Sequence, residues 1–146
     1  MDDALRLENQ LCFPLYACAR KVVGKYTPLL KPLNITYTQY IVFLVLWDCG
    51  SITIRELCRK LYLDTGTLTP LLKKMQTEGY LERRRDPEDE RVVIVTLTEK
   101  GYALKEQVKD VPGSVGSCMP LTAEEAVALY SLLYKVLGSI DEDEET

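Results

Sequence analysis

The chain has 146 residues, which suits one globular domain and is too short for two enzyme domains. Its hydrophobic content of 47%, with only two Phe and one Trp, indicates a helical protein. It holds no histidine, and its five cysteines form no Cys-x-x-Cys pair, which excludes the usual zinc sites and Ser-His or Cys-His catalysis. The net charge of −4 includes five acids at 141–145, without which 18 basic residues face 17 acidic ones. Local basic clusters could therefore still attract a polyanion.

The amino-terminal segment, residues 4–30, carries an apolar stripe at helical spacing, which predicts a helix. The stripe consists of Leu15, Ala19, Val22, Val23 and Tyr26. Pro14 interrupts the pattern, because its ring clashes with the carbonyl four residues back. The helix therefore either kinks beside Cys12 or begins there.

Residues 36–49 predict a second helix, after a turn at Lys31-Pro32-Leu33-Asn34. We expect one side of it to carry Tyr37, Tyr40, Ile41, Leu44 and Val45. Its apolar run, 41–47, is far too short to span a bilayer, and the first residues lack the basic start of a secretory signal. We therefore expect a cytoplasmic protein with no membrane partner.

Residues 51–97 predict a winged helix-turn-helix. A first helix at about Ile54 to Tyr62 is followed by a second one that Asp64 can cap and Gly79 can close. Pro70 removes a backbone donor near the first turn of the second helix, which leaves its starting residue open. A charged turn, 82–91, then separates two extended segments, as in a hairpin.

The last third of the chain predicts two more helices. Thr98 can cap one that runs to about Lys109, and Pro112, Gly113 and Gly116 break the chain after it. Thr122 to Glu125 forms a capping box for a last helix that ends near Ile140.

We expect a mainly α fold with a small β wing, in a single domain covering 1–146. Dimerisation helices are expected at about 1–33 and 98–140, and a DNA-binding lobe is expected at about 34–97. An acidic solvated tail is expected at 141–146. The alternative is that the outer helices only pad a monomeric core.

The second helix of the motif has a polar face opposite its apolar stripe of Leu68, Leu71, Leu72 and Met75. Threonines can contact bases and phosphates, and lysines can neutralise phosphates. The candidate DNA contacts are therefore Thr65, Thr67, Thr69, Lys73 and Lys74, with Arg83, Arg84 and Arg85 on the backbone or at the base of the ribbon. The alternative is an ordinary solvated helix face.

Three segments carry a resemblance to the MarR family of winged-helix regulators over essentially the whole chain. They are the helix end Cys49-Gly50, the segment 63–75 (LDTGTLTPLLKKM) and the wing 85–91 (RDPEDER). Within that family, residues 7–17 (LENQLCFPLYA) resemble the sensing segment of the organic-hydroperoxide-responsive repressors, the OhrR-like branch. A related branch of thiol-based global regulators in the same family shares Gln-Leu-Cys-Phe. The resemblance therefore indicates thiol oxidation more specifically than it indicates which genes are regulated.

The resemblance implies a homodimer that represses from a pseudo-palindromic duplex operator until it is oxidised, without a cofactor. It also implies that Cys12 is the peroxidatic thiol and that Tyr26 and Tyr37 hydrogen-bond it. In the wing, it implies that Asp89 braces Arg91 in the minor groove. A narrow A·T-rich groove attracts an arginine, which gives that pairing a physical reason.

Cys12 by itself has a simpler interpretation, since a lone cysteine in an apolar helix is usually an inert core residue. Reaction with a peroxide needs a thiolate, which phenol hydroxyls can stabilise, and the chain has nine tyrosines. The product would be a sulfenic acid. The resemblance implies that it is resolved either by a C-terminal cysteine of the other subunit, for which Cys118 lies in the right region, or by a small thiol. An apolar surrounding of Phe13, Leu15 and Tyr16 would favour organic peroxides. The remaining cysteines are interpreted as structural, Cys18 on its helix and Cys49 and Cys58 in or near the helix-turn-helix core.

Two other functions are considered. In the first, the chain is a MarR-like dimer released by a small phenolic or acidic ligand, and its cysteines are inert. In the second, it is a thiol peroxidase, which we do not expect, because the chain lacks a positioned general acid such as His and devotes its middle third to a DNA-binding lobe. We therefore do not expect an enzyme.

Overall fold

The computed structural model describes residues 3–144, with side chains for residues 3–139. Its first long helix is α1, Cys12–Leu30. Two short 3-10 turns, Asp3–Leu5 and Leu7–Asn9, precede it. Pro14 is therefore in the first turn, where its missing amide hydrogen would have had no helical partner. Of the two alternatives at Pro14, the helix begins anew at Cys12, and the predicted helix over 4–11 is wrong.

Helix α2, Tyr37–Cys49, follows a 3-10 turn at Lys31–Leu33 and a left-handed Asn34, as predicted. A capping box starts it: the Gln39 amide donates to Thr36 Oγ1 (3.2 Å), and the Thr36 amide donates to Gln39 Oε1 (2.9 Å).

The face of α2 that is buried differs from the predicted one. Leu44, expected on the apolar side, is 45% exposed. The buried residues are Gln39, Tyr40, Val42, Phe43 and Leu46. Because α2 is apolar almost all round, its periodicity could not show which side the rest of the fold covers.

The predicted helix-turn-helix consists of α3, Ile54–Leu61, and α4, Thr65–Thr77. The wing is β2, Leu81–Arg85, paired antiparallel with β3, Val93–Leu97. A third strand, β1, Ser51–Thr53, pairs with the other edge of β3 and gives the sheet order β1-β3-β2. We did not predict β1, because three residues are too few for an alternating pattern. The arrangement confirms a mainly α fold with a small β wing.

Both ends of α4 are set by local hydrogen bonds. The Thr67 amide donates to Asp64 Oδ1 (2.6 Å), so the helix starts at Thr65 in spite of Pro70. At the other end, the Tyr80 amide donates to the Met75 carbonyl (3.0 Å), and Gly79 adopts a φ of +86°. This is the Schellman arrangement, which favours glycine because a side chain strains a positive φ.

The core of the DNA-binding lobe lies between α2, α3, α4 and the sheet. Its fully buried side chains include Phe43, Leu46, Leu57, Leu68, Leu72, Met75 and Val95. Phe43 stacks on Trp47 (centroids 5.3 Å apart) and meets the edge of Tyr80 (5.2 Å). Trp47 Nε1 donates to the Gly101 carbonyl (2.9 Å), which attaches α2 to the next helix.

Three helices follow the sheet: α5, Glu99–Val108, α6, Val111–Gly116, and α7, Ala123–Glu144. Thr98 caps α5, and the capping box of Thr122 and Glu125 opens α7, as predicted. The break expected at Pro112 and Gly113 is instead a short helix, because a proline in the first turn is tolerated, and the chain breaks at 117–122. The predicted acidic tail, 141–146, lies wholly outside the described side chains, although the backbone of α7 continues to Glu144.

The chain divides into two compact units between Pro112 and Gly113. The first holds α1 to α5 with the sheet, and the second holds α7. Within residues 3–144, no single helix has the length and apolar character needed to cross a membrane. Residues 12–33 and 37–49 reach that length and composition only as a pair bent by 78°.

Gly101 offers a test of the packing between α5 and the sheet. A glycine-to-alanine change inside a helix normally stabilises by about 0.5–1 kcal/mol. Here the added Cβ would collide with the Tyr80 carbonyl and the Leu97 side chain. We expect Gly101→Ala to lower the free energy of unfolding by about 1–3 kcal/mol in urea denaturation.

Gly24→Ala is the matched control, because nothing lies within 4 Å of the Cβ that it would add to α1. It should be neutral or stabilising. A Gly101→Ala protein that is as stable as Gly24→Ala would contradict the close packing described here.

Candidate functional site

The exposed face of α4 carries most of the predicted DNA contacts. Leu68, Leu72 and Met75 are completely buried, whereas Thr65, Thr67, Lys73 and Lys74 are exposed and Thr69 is half-buried. Thr65 is less available than expected, because its Oγ1 lies 3.9 Å from the Cys58 thiol across the turn from α3. The predicted polar face is therefore present, with Thr65 at its inner edge.

At the tip of the wing, Asp89 holds Arg91. Asp89 Oδ1 accepts from Arg91 Nε (3.1 Å) and from the Arg91 amide (3.1 Å), and Oδ2 accepts from a terminal nitrogen of the guanidinium (3.3 Å). The hydrogen bonds from the guanidinium, and then from the amide, lower the pKa of Asp89. The Arg91 side chain is nevertheless 91% exposed. It is therefore oriented by its neighbour and open to a ligand.

The three arginines of β2 separate into different roles. Arg83 Nε donates to Gln76 Oε1 (2.8 Å), which links the wing to α4. Arg85 donates to the Glu90 carbonyl (2.7 Å) across the hairpin, and Arg84 is exposed. Arg83 and Arg85 thus hold the base of the ribbon. Gln76 was missed from the sequence, although its place on the exposed side of α4 just before Gly79 was a signal.

Cys12 is the first residue of α1, and its side chain is exposed. Its neighbours are also uncovered. The exposed apolar side chains around it are Leu7, Leu11, Phe13, Leu15 and Tyr16. The thiol therefore does not lie in the core of its own chain, in contrast to the simpler interpretation of a core cysteine.

Tyr26 and Tyr37 come together, as their predicted shared role requires, with ring centroids 4.8 Å apart. A third tyrosine, which we did not predict, completes the cluster: Tyr40 lies 5.5 Å from Tyr26 and 6.0 Å from Tyr37. Burial, and then the neighbouring Tyr26, raises the pKa of both Tyr37 and Tyr40. Their hydroxyls therefore stay protonated at neutral pH and can donate hydrogen bonds.

The predicted hydrogen bonds from these tyrosines to Cys12 cannot form within one chain. Cys12 and Tyr26 lie on the same helix and are separated by roughly 21 Å along its axis, at 1.5 Å per residue. Both alternatives at Pro14 keep Cys12 and Tyr26 at opposite ends of one helical segment, so the sequence already implied this separation. A hydrogen bond from these tyrosines to Cys12 would therefore require the Cys12 of a second chain.

The other four cysteines are also free thiols. Cys118 is exposed in the segment after α6, where its Sγ donates to the Ser114 carbonyl (3.4 Å). Cys58 is half-buried at the turn of the helix-turn-helix, but Cys18 and Cys49 are exposed. Cys49 ends α2 at the surface and therefore lies near the lobe core rather than in it.

A metal centre has no support in the part of the chain that the structure describes. No group of three or more Cys, Asp, Glu or His side chains there is arranged to hold an ion.

A helix-turn-helix with a polar outer face, followed by a hairpin that presents a braced arginine, defines a winged-helix DNA-binding protein. Comparison with known proteins agrees with that class. A family model described as "Transcriptional regulator SarA/Rot" matches residues 25–108. The chain is 46% identical, over 94% of its length and 94% of the relative's, to the "Organic hydroperoxide resistance transcriptional regulator" of Bacillus subtilis.

Solved structures are similar over nearly the whole chain. A structure of reduced AbfR bound to DNA has a TM-score of 0.80 at 33% identity, covering 97% of this chain and 96% of that one. A mutant MarR from E. coli in complex with operator DNA has a TM-score of 0.75 at 32% identity, covering 87% and 93%. The chain belongs to the MarR family of winged-helix transcriptional regulators, which confirms the resemblance to that family and to its organic-hydroperoxide branch.

Proposed function

We propose that this chain is a homodimeric repressor that binds a pseudo-palindromic DNA operator and releases it when an organic hydroperoxide oxidises Cys12. The observation that carries the proposal is the exposed Cys12 thiol at the first turn of α1, with uncovered apolar side chains around it. The similarity to the Bacillus subtilis hydroperoxide resistance regulator supports it. The chain acts as a cytoplasmic regulator rather than as a catalyst with sustained turnover.

The dimer explains two features of α1 together. Exposed apolar side chains on α1 and α7 would be covered by a second copy. A two-fold axis crossing an antiparallel pair of α1 helices near Ala19 would also set Cys12 level with the partner's Tyr26. The tyrosine cluster of each chain would then donate hydrogen bonds to the thiolate of the other chain, which one chain cannot achieve.

The sensing reaction is a two-electron oxidation of the thiol. The Cys12 thiolate attacks the outer oxygen of the hydroperoxide, a sulfur–oxygen bond forms, and the oxygen–oxygen bond breaks. Sulfur is oxidised to a sulfenic acid, and the peroxide is reduced to an alkoxide that takes a proton and leaves as the alcohol. The apolar side chains beside Cys12 would favour an organic peroxide over hydrogen peroxide.

Release of DNA follows from a change at the dimer helices. The two α4 helices of a dimer must meet half-sites about 34–36 Å apart. Oxidation at Cys12 removes the thiolate that the partner's tyrosines hold and adds an oxygen or a disulfide in its place. The α1 helices then shift, and the spacing of the recognition helices no longer matches the operator. We propose that the partner's Cys118 resolves the sulfenic acid as a disulfide, with a small cellular thiol as the alternative.

The function is tested by measuring operator binding of the reduced protein by fluorescence anisotropy during titration with cumene hydroperoxide. We expect release at close to one equivalent per Cys12, rebinding after dithiothreitol, and a weaker response to hydrogen peroxide. Peptide mapping of the oxidised dimer should show Cys12 joined to Cys118. A protein that keeps its DNA at a large excess of cumene hydroperoxide would refute the proposal.

One observation favours a second candidate, a regulator released by a small acidic ligand. A cavity of about 460 Å³ opens beside the start of α2 and is lined by Lys31, Lys74, Thr27 and Tyr37 among others. Two lysines could hold a carboxylate there, and Lys74 belongs to the recognition helix. Release by an aryl carboxylate with all cysteines alkylated would favour this mode, whereas release only by peroxide would favour the thiol.

A further inference from the structure

Pro70 lies in the interior of α4, at its sixth residue, and its side chain is exposed. Proline is the least favourable residue in a helix interior, because it has no amide hydrogen for the carbonyl four residues back, here that of Gly66. The helix nevertheless runs unbroken through Pro70, and the exposed ring fills no space in the core. In the described chain the exposed ring makes no core contact that would offset this cost, so the proline is best explained by what α4 contacts.

The position of Pro70 on the helix shows which contact that is. Residues 66, 70, 73 and 77 follow each other at intervals of three or four and lie opposite the buried Leu68, Leu72 and Met75. Pro70 is therefore at the centre of the face that enters the major groove, in the amino-terminal part of the helix that contacts base edges.

That part of the face offers few hydrogen bonds. Residues 65–72 read TGTLTPLL and include none of the Arg, Lys, Asn or Gln side chains that read guanine or adenine in two hydrogen bonds. Farther along, the Thr77 hydroxyl donates to the Lys73 carbonyl (3.0 Å), so it is satisfied within the helix. What remains around Gly66 is the proline ring, with the methyl groups of Thr67 and Thr69 on its two sides.

Thymine is the one base that presents a methyl group in the major groove. We propose that Pro70 is a specificity-determining residue whose ring, flanked by Thr67 and Thr69, packs on thymine 5-methyl groups of each operator half-site. Each half-site is then read by apolar contact rather than by hydrogen bonds to bases. This inference rests on the proposed DNA-binding function and adds the chemical class of base that the helix recognises.

The test begins with selection of binding sites from a random duplex library by the full-length reduced protein. Thymines of the selected half-site are then replaced one at a time by deoxyuridine, which lacks only the 5-methyl group and keeps the O4 acceptor. Burial of one methyl group corresponds to about a fourfold change in a binding constant. We expect the dissociation constant to rise about fourfold for one contacted thymine and roughly 15-fold for the symmetric pair. Deoxyuridine in the flanks should have no effect.

Pro70→Ser assigns the effect to the ring. Serine supplies the missing amide hydrogen, so the variant should unfold at a higher temperature than the wild type, while its preference for thymine over deoxyuridine falls towards one. Lys74→Ala is the control, because loss of a phosphate contact weakens binding to both duplexes equally and leaves the ratio unchanged.

The outcomes separate this inference from the proposed function. If the wild-type protein selects a sequence but binds its deoxyuridine form equally well, recognition of thymine methyl groups is overturned, while the proposed DNA-binding function stands. A Pro70→Ser protein that keeps the full preference for thymine overturns the role of Pro70. A chain that selects no sequence overturns both the inference and the proposed function.

Discussion

Cys12→Ser should bind the operator with an affinity close to that of the wild type and should no longer release it in the presence of an organic hydroperoxide. Serine keeps about the size of the side chain and can accept the hydrogen bonds that the proposed dimer would bring from the partner's tyrosines, but it has no sulfur to oxidise. Because the α4 face and the wing lie elsewhere in the chain, the DNA contacts are unchanged. Anisotropy titrations of the reduced variant, with and without ten equivalents of cumene hydroperoxide, measure both properties.

Cys49→Ser and Cys18→Ser are matched controls for Cys12→Ser, since all three thiols are exposed. Both control variants should be released by hydroperoxide as the wild type is. If Cys49→Ser abolished release as fully as Cys12→Ser, the assignment of the sensing thiol would be wrong. If no single variant abolished it, the signal would not act through one of these three thiols.

Arg91→Ala is expected to weaken operator binding by roughly tenfold for each wing, and so by on the order of 100-fold for a dimer with two wings. The reason is the geometry at the hairpin tip, where Asp89 orients an otherwise exposed guanidinium. The variant should also show a smaller dependence of affinity on salt, because fewer counterions are released on binding. Anisotropy titrations at several salt concentrations give both quantities.

Asp89→Asn separates orientation from charge. It leaves the guanidinium in place and removes the carboxylate that braces it, so we expect an intermediate loss of affinity and a weaker preference for A·T pairs beside the half-sites. Lys109→Ala removes one positive charge outside the helix-turn-helix and wing, and it should have little effect. An Arg91→Ala protein that binds no more weakly than Lys109→Ala would show that the wing does not contact DNA.

Local signals in the sequence predicted the elements that carry the DNA-binding surface. Asp64 starts α4 and Gly79 ends it, because a cap and a positive φ depend only on a few neighbouring residues. The same holds for the capping box at Thr122. The face of α2 was predicted wrongly, since an almost uniformly apolar helix has no stripe to read. Strand β1 was missed because it exists only through its pairing with β3.

The candidate thiol site divides in the same way. Cys12, Tyr26 and Tyr37 were named from the resemblance, and the sequence left open only whether the helix kinks or begins beside Cys12. In either case helix geometry separates the thiol from Tyr26 by roughly 21 Å, so the hydrogen bonds that the resemblance implies would need a second chain. Tyr40 joins the cluster only through the packing of α1 against α2.

The sequence by itself determined the winged helix-turn-helix, its caps, the polar face of α4 and the charged turn of the hairpin. These depend on periodicity and on hydrogen bonds between residues a few positions apart. Only the tertiary structure decided which side of α2 is buried, that Gln76 ties Arg83 to α4, and that Cys12 is left exposed. Those features depend on contacts between residues distant in the chain, which a local pattern does not contain.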